Sequence, residues 1–169
     1  MILCANPSAQ FYSYQAEIED AVLRVVRSDR YILGSEVNAL EQEFAAYIGT
    51  PHAIGVANGT DALEIAVKSL NIKKNSEIIV PVNTWISTAE AVVNNGYKLV
   101  FCDVNLDDYT ISIDDLKKKI NKKTKAIIAV HLYGNLCRMN ELLSIGKKYN
   151  IPVIEDSAEA IGSKYHEKR

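Results

Sequence analysis

Five short stretches, at residues 53–57, 77–80, 98–103, 125–130 and 151–155, are nearly continuous in apolar residues. A strand with one wet face alternates polar and apolar positions, whereas a strand buried on both faces does not. Between these runs lie patterns of helical spacing at 60–70, 86–95, 112–120 and 139–149. Doubly buried strands separated by helices leave few architectures open. The expected one is α/β: a mostly parallel sheet with helices on both faces. Ligands of such sheets bind beyond the carboxyl ends of the strands. The residues found there are Asn58-Gly59-Thr60, Asn83-Thr84-Trp85, His131-Leu-Tyr-Gly134 and Asp156-Ser157.

The first fifty residues follow another pattern. Residues 1–10 read as extended and irregular. Ile18, Ala21, Val22, Val25 and Val26 give a helix from Tyr14 to about Ser28, and Tyr31-Ile-Leu-Gly34 is a link with a breaker. Ser35 is placed to cap a second helix, with Val37, Leu40, Phe44, Ala45 and Ile48 on one face and Gly49 after its end. Residues 1–50 are therefore expected to form a helical arm on an α/β body of residues 51–169.

A chain of 169 residues fits one domain or most of one. Its net charge of −2 gives no reason to expect nucleic acid or an anionic membrane as partner, and the Lys117-Lys-Lys119 run reads as a solvated face. Cys4, Cys102 and Cys137 are far apart, with no C-x-x-C pair. That spacing suits a reducing cytosol and argues against a disulfide framework or a zinc site. Asp107-Asp108 and Asp114-Asp115 have turn and cap roles available, so no metal set is expected. No apolar run reaches membrane-spanning length and no export signal is evident, so the expected location is cytoplasmic.

Three strand exits carry residues with chemical potential. Asn58-Gly59 breaks the first run, and Thr60 is placed to cap the helix that follows. Such a helix start offers unpaired N–H groups and a positive dipole end, an anion seat suited to phosphate or simply a strand-to-helix turn. Trp85, the single tryptophan, either stacks on a flat ring or packs in the core. Asp156 either holds a protonated ring nitrogen or serves a turn. His131 and Tyr133 can bond to ligand or to backbone; His52 and His166 read as surface residues.

The order and spacing of several motifs resemble one family over nearly the whole chain. They are Tyr31-Ile-Leu-Gly34, Leu40-Glu41 through Gly49, Asn58-Gly59-Thr60-Asp61-Ala62-Leu63, Glu77-Ile-Ile-Val-Pro81 with Thr84-Trp85, Val130-His-Leu-Tyr-Gly134, and Glu155-Asp156-Ser-Ala-Glu-Ala-Ile-Gly162. The chain resembles the DegT/DnrJ/EryC1/StrS aminotransferases, pyridoxal-phosphate enzymes that aminate keto sugars on nucleotide carriers. The resemblance implies the large domain of the aspartate-aminotransferase fold, PLP-transferase fold type I, and a homodimer with shared active sites. It implies that Gly59 and Thr60 hold the cofactor phosphate with Asp61 adjacent, that Trp85 stacks on the ring, and that Asp156 pairs with the ring nitrogen. Family members commonly carry Gln or His three residues after that Asp, near the ring hydroxyl; Glu159 here resembles the perosamine-synthase-like subset and leans toward 4-amino-4,6-dideoxy sugars.

The family's Schiff-base lysine lies in a Ser-Phe segment expected beyond Arg169, with Lys164 and Lys168 matching only the approach to it. The small C-terminal domain is likewise expected to be absent, and the large domain incomplete with an unpaired sheet edge. A lysine amine is the usual nucleophile and proton carrier in such chemistry, so these residues alone are not expected to turn over. The implied activity of the whole enzyme is amino transfer, with glutamate as donor, to a keto sugar on a nucleoside diphosphate. The alternatives are a cofactor-binding regulatory remnant without catalysis, and a dehydratase on the same fold with histidine replacing the lysine.

Overall fold

The sheet is built on β1 (Glu77–Pro81), all five residues of which are buried. In the computed structural model, which describes residues 5–169, β1 lies between β2 (Lys98–Cys102) and β3 (Thr124–Val130), and β4 (Val153–Asp156) pairs with β3. The order is β2-β1-β3-β4 and every pairing is parallel. Ile78 and Val80 face one side with Ala126, Ile128 and Val130, where Leu63 and Val67 of α4 (Gly59–Ser69) and Ala91 and Val92 of α5 (Ile86–Asn94) cover them. Ile79, Ile127 and Ala129 face the other, against Ile113 and Leu116 of α6 (Ile113–Lys119) and Leu142 and Ile145 of α7 (Met139–Tyr149). Both faces being covered is why the central strands β1 and β3 read as nearly unbroken apolar runs; β2 and β4 at the edges are only partly buried, with Phe101 of β2 45% exposed.

The chain divides into two compact units, Met1–Gly55 and Val56–Arg169. The first carries α1 (Pro7–Ser13), α2 (Gln15–Val26) and α3 (Ser35–Ile48). Arg24 of α2 grips Glu36 of α3 through Nε and Nη2 at 3.1 and 3.2 Å. Gly49 ends α3 at φ +81°, a left-handed cap that glycine adopts without a Cβ clash.

Several local expectations are corrected. Of the expected irregular stretch 1–10, residues 1–4 lie outside the described residues and residues 7–10 are helical, opening α1: Pro7 stands at the first turn and the Asn6 side chain accepts the Ala9 N–H. Gly34, not Ser35, is the N-cap of α3, and Asn58, not Thr60, is the N-cap of α4. Residues 53–57 form no strand, because none of the described strands pairs with them, and Ile54 and Val56 are exposed. An apolar run supplies propensity but not a ladder partner. Ser112 caps α6, accepting the Asp115 N–H.

Candidate functional site

The chain leaves β1 through α5 to reach β2 on one side, yet β3 and β4 lie on the other. The direction of winding therefore reverses between β1 and β3, and a crevice opens beyond the carboxyl ends of those strands. A cavity of about 460 Å³ occupies it. Its walls are the segment after β1 (Asn83 to Trp85), the first turns of α4 and α5, the segment after β3 (His131 to Tyr133), and Asp156 with Ala158 and Glu159 after β4.

Asp156 is held by an ordered chain of hydroxyls. Thr88 Oγ1 donates to Asp156 Oδ2 at 3.1 Å, and Thr84 Oγ1 lies 2.9 Å from Thr88 Oγ1. A threonine hydroxyl has one proton, and that of Thr88 is committed to the carboxylate, so Thr84 is the donor to Thr88. Thr88 is fully buried. The second carboxylate oxygen, Oδ1, has only a long 3.4 Å contact from the Ala158 N–H, and is the oxygen available to a cationic partner in the cavity.

Another wall is the N-terminus of α4. The Asn58 side chain caps the Asp61 N–H at 2.9 Å, and the Asn58 carbonyl accepts the Ala62 N–H at 3.1 Å. The first two amides of α4, Gly59 and Thr60, have no place in the helix's own ladder, and both residues line the cavity. A Cβ on Gly59 would meet nothing within 4 Å, so that approach is open. Thr60 Oγ1 lies 2.7 Å from Ser87 Oγ, joining the first turns of α4 and α5 at one point. An anion at such a terminus is typically stabilised by about 0.3–1 kcal/mol, more where water is excluded.

The loop after β3 is fixed by neighbours. His131, 3% exposed, accepts the Cys137 N–H at Nδ1 across 3.2 Å, so its proton lies on Nε2, 3.1 Å from Glu155 Oε2. Its own backbone N–H donates to the Asp156 carbonyl at 3.0 Å. Glu159 Oε2 accepts the Tyr133 N–H at 2.7 Å, bridging this loop to the segment after β4. Tyr133 sits at φ +57°, a left-handed conformation costing a non-glycine residue about 1–2 kcal/mol. Cys137 is buried, which pushes its thiol up to about 11.

Gly59, Thr60, Trp85, Asp156 and Glu159 thus come together around one cavity. Asp61 is not among the lining residues: Asn58 Nδ2 donates to its carboxylate at 3.3 Å beside the cap. Trp85 is the N-cap of α5 and 76% exposed, so it is not a core residue. His131 bonds to backbone and Glu155, and His52 is exposed as expected. Sequence reading missed Ser87 and Thr88. Their signal was two adjacent hydroxyl residues on the buried face of an apolar helix start, where a polar group requires a partner. Among the described residues no group of three or more His, Cys, Asp or Glu side chains could hold a metal ion, and no helix is long and apolar enough to cross a membrane.

The model of the DegT/DnrJ/EryC1/StrS aminotransferase family matches residues 13–169. A dTDP-3-amino-3,6-dideoxy-alpha-D-galactopyranose transaminase of Aneurinibacillus thermoaerophilus is 45% identical over 156 residues, 92% of this chain and 43% of that protein. The crystal structure of S. venezuelae DesV in complex with a ketimine intermediate superposes with a TM-score of 0.94 at 36% identity, over 97% of this chain and 44% of that one. A GDP-4-keto-6-deoxymannose-3-dehydratase with a trapped PLP-glutamate geminal diamine superposes at 0.85 with 29% identity, over 89% of this chain and 41% of that one. The chain thus spans less than half the length of each of these proteins. With the family's motifs in order along a matching fold, the chain belongs to the DegT/DnrJ/EryC1/StrS aminotransferase family.

Proposed function

We propose that this chain forms the cofactor-binding part of a pyridoxal-phosphate enzyme that transfers an amino group, from glutamate, to a keto sugar carried on a nucleoside diphosphate. The observation that carries the reading is one cavity bounded by an anion seat at Gly59 and Thr60, an exposed indole at Trp85 and a carboxylate at Asp156. These three match the three parts of pyridoxal 5'-phosphate: phosphate, flat ring and basic ring nitrogen. When bound, the cofactor supplies an electron sink for a carbanion on the attached carbon.

The chain's own residues do the holding. The Gly59 and Thr60 amides and the Thr60 hydroxyl bind the phosphate. Trp85 covers one face of the ring and excludes water from it. Asp156 Oδ1 accepts from the protonated ring nitrogen, with Oδ2 anchored on Thr88. Glu159 faces the ring hydroxyl while its Oε2 stays on the Tyr133 N–H. Asp61 completes the cap beneath the phosphate. No lysine lines the cavity among the described residues, and the Schiff-base lysine is assigned to the rest of the enzyme. The working form is a cytoplasmic homodimer with shared sites. The Aneurinibacillus relative is named for a 3-amino sugar while Glu159 leans toward 4-amino sugars, and a keto sugar is the acceptor common to both.

A dehydratase is the second reading, favoured by the 0.85 superposition on the 3-dehydratase. The deciding experiment incubates the full-length enzyme with pyridoxal phosphate, glutamate and a nucleotide-linked keto sugar. Amino-sugar product supports transamination; loss of a sugar hydroxyl with 2-oxoglutarate and ammonia formed supports dehydration; neither reaction refutes both.

A further inference from the structure

Two tyrosines, one of them in the cavity wall and the other packed behind it, share an unusual arrangement. Tyr109, in the loop after β2, and Tyr133, in the loop after β3, both adopt left-handed backbone, at φ +58° and +57°. Their rings meet edge to face with centroids 6.2 Å apart. Both stay exposed, at 45% and 69%, and Tyr133 lines the cavity. L residues avoid this conformation, and it persists only where the surroundings over-determine it.

The surroundings here do so at each residue. The Tyr133 N–H is held by Glu159 Oε2, and the Tyr109 N–H by the Asn105 carbonyl at 3.0 Å. Next to Tyr109, Asp108 Oδ1 accepts from the Thr110 N–H and hydroxyl at 2.9 and 2.8 Å. A cross-tie joins the loops: Asn135 Nδ2 donates to the Asp108 carbonyl at 3.3 Å, and Arg138 stands 3.7 Å from the Asp108 carboxylate. Strained backbone, braced at both ends, thus holds two exposed phenol rings against each other, one of them in the cavity wall.

Resting on the function proposed above, we infer that Tyr133, backed by Tyr109, forms an aromatic wall for the hexose ring of the nucleotide sugar. The chemistry favours the sugar over the amino donor. The carboxylates of glutamate and the diphosphate of the nucleotide both call for charged partners, and neither Arg nor Lys lines the cavity among the described residues, so the part of either substrate that suits this wall is the uncharged sugar ring. A pyranose presents a face of C–H bonds that packs on a neutral aromatic surface.

The test uses the full-length enzyme and the variants Tyr133→Ala, Tyr133→Phe and Tyr109→Ala, each checked for native near-ultraviolet circular dichroism. Calorimetry measures binding of dTDP-, UDP- and GDP-hexoses beside the bare nucleoside diphosphates, and the glutamate half-reaction is followed separately. Expected is a loss of about tenfold in affinity for the tightest hexose-bearing ligand in Tyr133→Ala, a smaller loss in Tyr109→Ala, and near-normal binding in Tyr133→Phe. Bare diphosphate binding stays unchanged, and the glutamate half-reaction falls by less than hexose binding does. Equal losses for sugar-bearing and bare ligands, a parallel fall in the glutamate half-reaction, or unchanged hexose binding would each overturn the wall. A wild-type enzyme with no glutamate half-reaction refutes the transaminase reading instead, and hexose binding still decides the wall.

Discussion

Thr88 Oγ1 donates to Asp156 Oδ2 across 3.1 Å, linking the first turn of α5 to the carboxyl end of β4, 68 residues later in the chain. The bond fixes the carboxylate's rotation and leaves Oδ1 for the cavity. Thr88→Val keeps the shape and removes the donor. We expect about a tenfold loss of affinity for pyridoxamine 5'-phosphate by calorimetry, since hydrogen bonds to charged groups are worth about 1.5–3 kcal/mol and part is regained from solvent. Thr88→Ser should bind within about twofold of the wild type, because serine supplies the same donor.

The anion seat predicts a phosphate-specific defect. Thr60→Val removes the hydroxyl beside Ser87 and should weaken pyridoxamine 5'-phosphate by about tenfold, the worth of one charge-assisted bond. Pyridoxamine, which lacks the phosphate, should bind both proteins alike. Calorimetric titration of the two ligands against the two proteins gives the comparison.

Glu77 makes an acid-sensitive latch at the foot of β1. Its buried carboxylate accepts from Asn121 Nδ2 at 2.7 Å and from Lys98 Nζ at 3.1 Å. The Asn121 bond first, and Lys98 second, hold its carboxyl below the ordinary glutamate value. A carboxyl lowered in the folded state stabilises it above the unfolded value, about pH 4.3, and the contribution fades as pH falls through the folded value. Glu77→Gln should cost about 1–2 kcal/mol at pH 7. It should also flatten the loss of stability below about pH 4.3, as read from urea unfolding at a series of pH values.

The described thiols should be inert. Burial pushes Cys102 up to about 12 and Cys137 up to about 11, so almost no thiolate exists at pH 8. In a Cys4→Ser variant, Ellman's reagent should find no fast-reacting thiol in the native protein and both remaining ones in urea.

Strand and helix runs of the sheet unit were legible because Ile78, Ile79, Ile127 and Ile128 are buried on both faces, and burial is what unbroken hydrophobicity records. Trp85 and Asp156 were legible as cavity residues because they follow β1 and end β4, where open sheets gather ligands; Gly59 and Thr60 were legible from the Asn58-Gly59 turn signal and the helix start behind it, not from a strand. Two features were not. The run at 53–57 looks like the others, but strand formation depends on a partner outside the window being read. The Thr84–Thr88–Asp156 chain joins residues far apart in sequence, and no local period announces that a buried hydroxyl has found a carboxylate.

Trp85 is the only tryptophan of the chain, so its fluorescence reports on the cavity alone. The most direct measurement is a titration of the 169-residue chain with pyridoxamine 5'-phosphate, which carries ring and phosphate but no aldehyde to react with surface lysines. A pyridoxal-phosphate site predicts saturable quenching of Trp85, weakened by Asp156→Asn and by Thr60→Val. Emission that does not change, or quenching indifferent to both substitutions, would contradict it.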